Sequence, residues 1–181
     1  MVRETQRRLV LLAAVAIVAV AWVTAFNGTA VTPVATAAAV QPKPTVARVA
    51  PCPFPTALRH AFEAASADAS IPRSMLWAVA KVESNLHPEA ESSAGARGLL
   101  QVMPATGTAL NLNIDEPTSN VLAGARYLRQ MLDRFHSSDL ALAAYNAGPT
   151  AVTVAGGAPS IEVQRYISNV NQLWYSVAGC R

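Results

Sequence analysis

One acid stands apart in this chain. Glu83 closes a run that is otherwise nearly all apolar, within Val82-Glu83-Ser84-Asn85-Leu86. Leu76, Val79, Ala80 and Glu83 fall at i, i+3, i+4 and i+7, the spacing of one helical face. Glutamate is rarely fully buried unless it is paired. Burial disfavours the charged carboxylate, and the negative end of a helix dipole acts in the same direction. A carboxyl group kept protonated near neutral pH can donate a proton to a leaving oxygen. The plain alternative is a glutamate that turns outward at a frayed helix end.

Two later segments bring neutral hydrogen-bonding groups. Gly98-Leu99-Leu100-Gln101-Val102-Met103-Pro104 sets an amide, Gln101, between apolar residues. Ala143-Ala144-Tyr145-Asn146-Ala147-Gly148 sets a phenol and an amide at a helix end before a glycine. Neutral donors and acceptors beside an aromatic ring suit a carbohydrate, whose hydroxyls need partners and whose faces pack on rings. Taken singly, each segment is equally a turn, a helix stop or a packed tyrosine. The remaining acids are poorly placed for chemistry. Glu89 and Glu91 lie in a polar stretch, and Asp115 and Glu116 lie between helices. Glu63, Asp68, Asp133 and Asp139 read as solvated faces or caps, and Glu162 opens a helix where an acid favours the dipole. His60, His87 and His136 are isolated, fit no metal spacing and read as surface residues.

These groups must be held by helices. A first helix spans 56–69. Pro72 opens a second, apolar most of the way round and therefore central, which ends before Pro88. Residues 89–97 read as a loop and 98–103 as a short helical turn. Pro104 starts a short helix to about Leu110. Val121, Ala125, Leu128, Leu132 and Phe135 mark a helix from about Asn120. Another runs from Asp139 to Asn146 and is stopped by Gly148-Pro149, with Gly156-Gly157 in a loop. Val163, Tyr166, Ile167, Val170, Leu173, Trp174 and Val177 mark a long last helix. Trp77, Trp174 and Tyr175 fit the helical stripes and read as core. No useful alternating strand pattern is present, so the body is expected to be an all-α domain.

The chain has 181 residues, enough for one domain with a core and a tail. Its 52% apolar content is inflated by the first forty residues. From residue 41 onward 11 Lys and Arg stand against 10 Asp and Glu, so the body is almost neutral. No basic cluster with interleaved aromatics occurs, and nucleic acid is not an expected partner.

Leu9 to Phe26 is an uncharged run of 18 residues behind Arg3, Arg7 and Arg8. It fits a secretory signal cleaved near Ala35-Thr36-Ala37 or Ala37-Ala38-Ala39, or an uncleaved membrane anchor. Either way the body is expected to be exported, outside the cytoplasm. Residues 1–39 are thus read as signal or anchor, 40–53 as a Pro/Ala-rich linker and 54–181 as the folded domain. Cys52 and Cys180 bracket that domain. Export permits a disulfide between them, two free thiols being the alternative.

In this order, the segments resemble the catalytic domain of the soluble lytic transglycosylases, relatives of goose-type lysozyme. Four segments carry the resemblance. The first is Glu83-Ser84 with Ser93-Ala94-Gly95-Ala96-Arg97-Gly98; the second and third are those around Gln101 and Tyr145. The fourth is Glu162-Val163-Gln164-Arg165-Tyr166-Ile167, where the family usually has threonine in place of Val163. Pro117, Asn120, Gly124 and Tyr127 look like the family's connecting helix.

The resemblance implies a compact lysozyme-like α fold acting, as a monomer, on peptidoglycan glycan strands. It makes Glu83 the catalytic acid/base. Gln101, Tyr145 and Asn146 become residues shaping the sugar cleft, and Met103 packs under it. Tyr166 stands near the acid, and Ser84 and Ser93 are weaker orienting groups. It also implies that one acid suffices. Glu83 protonates the oxygen between N-acetylmuramic acid and N-acetylglucosamine, then deprotonates the muramyl C6 hydroxyl, which closes a 1,6-anhydro ring without water. No metal or cofactor is expected. The competing readings are a hydrolytic muramidase, which would need Glu91 or Asp115 near the cleft, and a non-catalytic glycan-binding wall protein.

Overall fold

The computed structural model describes residues 52–180. The expected signal or anchor at 1–39, and the linker up to residue 51, lie outside the described residues. Among the described residues no helix is long and apolar enough to cross a membrane.

After a 3-10 turn at Thr56–Leu58, seven helices follow: α1 Arg59–Ala69, α2 Arg73–Ser84, α3 Pro104–Leu110, α4 Pro117–Phe135, α5 Ser138–Ala147, α6 Pro149–Ala155 and α7 Ile161–Ser176. The all-α expectation holds. Extended pairing among the described residues is limited to two isolated bridges, Glu91 with Arg97 and Arg97 with Val102.

Helices α2 and α5 form the centre. Met75 through Ala80 of α2 are all buried, as are Ala141 through Ala144 of α5. The alanines of α5 let α4, α6 and α7 approach it closely. On its other side α4 carries α1, and α7 lies along α2. Phe62, Leu76, Val79, Leu99, Leu100, Leu128, Leu142 and Val170 fill the space between, each fully buried. Full burial of such a side chain stabilises by about 1.5–3 kcal/mol. Cys52 and Cys180, 128 positions apart, are disulfide-bonded with Cα atoms 4.7 Å apart. In the chain-entropy model, closing so long a loop stabilises by about 4–5 kcal/mol. Cys52 is buried, and the Pro53 carbonyl accepts the indole N–H of Trp77 at 3.2 Å, so the first described residues already belong to the packed body.

Four sequence expectations differ from the structure. Gly148-Pro149 stops one helix and immediately starts another. Gly148, at φ 86°, ends α5, and Pro149 takes the first turn of α6, where its missing N–H costs nothing. Helix α4 begins at Pro117 because the Glu116 carboxylate accepts the Thr118 and Ser119 N–H groups. Residues 98–101 form a tight turn, not a helical one, closed by the bridge between Arg97 and Val102. Tyr175, expected in the core, is 63% exposed and stacks on the partly buried Trp174.

Candidate active site

Glu83 occupies the last turn of α2. Asn85 and Leu86 both take left-handed backbone, at φ 53° and 66°, and Asn85 donates its N–H to the Lys81 carbonyl. That abrupt ending holds Glu83 at the rim of the packed face instead of within solvated chain. Its side chain is partly buried. Tyr166, from the buried face of α7, donates its hydroxyl to Glu83 Oε1 at 2.7 Å across a separation of 83 residues. Tyr166 reaches it because Val163, Tyr166 and Val170 share the inward stripe of α7.

Burial pushes the Glu83 carboxyl up to about 7 from 4.5; the Tyr166 hydrogen bond acts the other way and is outweighed. No cation is bonded to it among the described residues. Tyr166 holds Oε1 as an acceptor, so the proton of the neutral acid resides on Oε2. The phenols of Tyr166 and Tyr145 are both pushed well above 10, first by burial and then by the nearby Glu83 charge. Both therefore stay neutral donors wherever Glu83 titrates.

The wall beside Glu83 is the turn 98–101. Ser84 Oγ, next to Glu83, lies 2.8 Å from the Leu99 carbonyl and donates to it. Tyr145, in the last turn of α5, donates its hydroxyl to the Leu100 carbonyl at 2.7 Å. Gln101 takes φ 44° and folds its side chain back, so that Nε2 donates to the Ala90 and Gly98 carbonyls at 3.0 Å each. Those two bonds offset the strain of a left-handed non-glycine residue. Gln101 thus braces its own turn, a role its amide in an apolar setting did not reveal.

The other expected site residues are placed less centrally. Asn146 is exposed beside Tyr145. Met103 is 43% exposed at the start of α3. Ser93 is exposed in the loop 89–97 and makes no hydrogen bond to Glu83 or the tyrosines among the described residues. Two residues of the connecting helix gain a defined contact in the structure: Tyr127, whose ring packs 5.4 Å from that of Tyr145, and Asn120, which is completely buried. Asn120 had one legible signal, a strongly polar side chain four residues before Gly124 on an otherwise apolar helix face.

Several of the remaining acids are engaged elsewhere. Arg97 bonds Asp115 at 3.1 Å and approaches Glu91 at 3.8 Å, all three side chains being substantially exposed. Two hollows of about 430 and 300 Å³ flank Arg97, and neither is lined by Glu83. Arg73 pairs with Glu63 at 2.9 Å and Arg126 with Asp68 at 2.8 Å. Among the described residues no cluster of His, Cys, Asp and Glu is spaced to hold a metal ion.

Fold and site together define an all-helical domain built around one protonatable carboxyl that is held by a phenol and lacks a cation. The sequence model of the transglycosylase SLT domain matches residues 60–163, and the chain belongs to that family. It is 41% identical over 86 residues to a transglycosylase of Enterobacteria phage PRD1, a match covering 47% of this chain and 32% of the phage protein. It is 31% identical over 143 residues to the soluble lytic murein transglycosylase of Escherichia coli strain K12, covering 65% of this chain and 22% of that protein. Among solved structures it resembles an inactive mutant of the lytic transglycosylase Slt of Pseudomonas aeruginosa. That match has a TM-score of 0.60 and 27% identity, covering 68% of this chain and 24% of the other. The chain thus spans a third or less of the length of these relatives.

Proposed function

We propose that this domain is a peptidoglycan lytic transglycosylase that cleaves the β-1,4 bond between N-acetylmuramic acid and N-acetylglucosamine, leaving a 1,6-anhydromuramyl end. The observation that carries this reading is the state of Glu83: a carboxyl raised to about 7, bonded only on Oε1 by Tyr166. At neutral pH such a group divides between acid and base forms, as a residue must that gives a proton and then takes one. Oε2 delivers its proton to the glycosidic oxygen. The same carboxylate accepts the proton of the C6 hydroxyl as that oxygen bonds to C1. The proton count closes on one residue, with no water and no second acid. Tyr166 steadies Oε1 through both steps, and its own raised pKa keeps it from competing for the proton.

Ser84, Gln101 and Tyr145 shape the cleft by fixing its turn, while the exposed Asn146, Met103 and Ser93 offer groups to the glycan and its substituents. A hydrolytic muramidase would need a second carboxylate. Glu91 and Asp115, the two candidates, are salt-bridged to Arg97 beside hollows that Glu83 does not line, which favours the single-acid route. The substrate lies outside the cytoplasm, in keeping with residues 1–39 as an export signal or anchor, followed by a linker to a monomeric folded domain that takes in Cys52 and Pro53.

Mass analysis of cell-wall digests tests the reading. The expected products are muropeptides lacking one water relative to hydrolysis products, absent when Glu83→Gln is used. Products carrying the added water would make the protein a muramidase. No cleavage by the folded wild-type protein would leave a glycan-binding domain.

A further inference from the structure

The turn 98–101 forms the wall beside Glu83, and one of the side chains that tie it to the body is itself fully buried. Asn120, in the first turns of α4, is 0% exposed. Its Oδ1 accepts the Leu100 N–H at 2.9 Å. Its Nδ2 donates to the Arg97 carbonyl at 2.8 Å and to the Ile114 carbonyl at 2.9 Å. One acceptor meets an N–H and one NH₂ group meets two carbonyls, so the amide has a single workable orientation. No other uncharged side chain of this size offers that set.

The surroundings are built to this amide. Gly98 takes φ +73°, and a Cβ there would lie 2.4 Å from Asn120 Nδ2. One turn further along α4, a Cβ at Gly124 would lie 2.4 Å from Leu100 Cδ1. Both glycines therefore let the turn settle directly on α4. The Leu100 peptide is then held from two sides: its N–H by Asn120 and its carbonyl by the Tyr145 hydroxyl. The preceding carbonyl, of Leu99, takes the hydroxyl of Ser84, the residue after Glu83. Three helices, α2, α4 and α5, thus grip two successive peptide units.

We infer that Asn120 is a positioning residue for the cleavage reaction: it sets the Leu99–Leu100 peptides, and through them the Ser84 and Tyr145 side chains that frame Glu83. The inference rests on the proposed transglycosylase activity for its kinetic readout alone. A buried amide of this kind does more than stabilise. Removing it leaves the Leu100 N–H and the Ile114 carbonyl without partners and the Arg97 carbonyl with the Val102 N–H alone, and the turn relieves them by moving toward water. A shift of about 1 Å in a catalytic frame lowers turnover by about 100-fold.

The test uses the full chain with Asn120→Leu, Asn120→Asp and Gly98→Ala, each checked for cooperative melting. Asn120→Leu keeps the branching of the side chain and removes all three bonds. The expected result is kcat lowered about 100-fold with KM changed far less. Asn120→Asp supplies the discriminating signature. A buried carboxyl facing two carbonyls is held protonated, and in that form it still accepts from Leu100 and donates once. Its kcat is therefore expected to recover at acid pH relative to wild type at the same pH, whereas Asn120→Leu does not recover. Gly98→Ala pushes on the same amide from the other side, so combining it with Asn120→Leu is expected to cost less than the two losses multiplied.

A readout independent of turnover is the carboxyl carbon resonance of Glu83. In Asn120→Leu its midpoint is expected to fall from about 7 toward 4.5 as the loosened wall admits water. A folded Asn120→Leu protein with wild-type kcat and an unmoved Glu83 midpoint overturns the inference. So does loss of the fold in all three variants, which would make Asn120 a core residue and nothing more. If the wild-type protein forms no anhydro product, the proposed function fails while the Glu83 titration still judges Asn120.

Discussion

Two groups of acids in this domain are built in opposite ways. Glu83 sits at the end of a central helix, partly buried, with one phenol on one oxygen and no cation bonded to it. Glu91 and Asp115 sit in loops at the surface, sharing Arg97. The first arrangement keeps part of its protons up to neutral pH because burial outweighs the only stabilising contact. The second is an exposed ion-pair group of the sort that contributes about 0–1 kcal/mol. What sets the proposed catalytic acid apart is the lack of a counter-charge together with a neutral donor, and not the number of acids nearby.

Exchanging the groups by mutation should sharpen that contrast. The largest effect is expected for Glu83→Gln, which keeps the shape and the Tyr166 contact but removes the transferable proton. Release of anhydromuropeptides should fall by about 10²–10⁴-fold, and a loss under tenfold would break the contrast. The same variant should be more stable than wild type at alkaline pH. Wild-type Glu83 has its native value, about 7, above the ordinary 4.5. The native state therefore binds this proton more tightly than the unfolded chain does. The resulting stabilisation is complete below pH 4.5 and is lost as pH rises through about 7. Denaturant melts at pH 8 should show Glu83→Gln gaining up to about 3 kcal/mol over wild type, and little at pH 4.

Tyr166→Phe should act more gently. Its hydroxyl lowers the Glu83 value, so removing it should move the Glu83 midpoint above 7, read from the carboxyl resonance. Turnover should drop by about tenfold, the scale of one lost hydrogen bond to a charged group. The smallest effects are expected for Glu91→Gln and Asp115→Asn. Anhydro product formation should stay within about twofold and stability within about 1 kcal/mol. A large loss of activity at either would bring the second carboxylate, and with it hydrolysis, back into the mechanism.

Much of this was legible in residue order. The apolar spacing that placed Glu83 on the inner face of α2 is what the structure shows for Leu76, Val79 and Ala80, all fully buried. Helix α3 begins and ends where Pro104 and Leu110 suggested. The misses have local causes. Gly148-Pro149 carries both a stop and a start, and the stop signal alone does not announce α6. Tyr175 follows Trp174 on the stripe, but successive helical residues point about 100° apart, and it lies outside the contact. Residues 98–103 look helical in composition, yet Gly98 and Gln101 take left-handed backbone and close a tight turn instead.

The sequence by itself determined most of the helices, several of their ends and the one acid out of keeping with its face. These depend on spacings of three or four residues and on caps, all contained within a turn or two of chain. Only the tertiary structure decided what that acid touches. The Tyr166 hydroxyl arrives from 83 residues away, Tyr145 holds a carbonyl 45 residues before it, and Gln101 turns inward to brace the backbone. A hydroxyl or amide in a sequence can face solvent, substrate or a peptide group. Which one it meets is settled when buried polar atoms must all find partners at once, and that condition exists only in the packed domain.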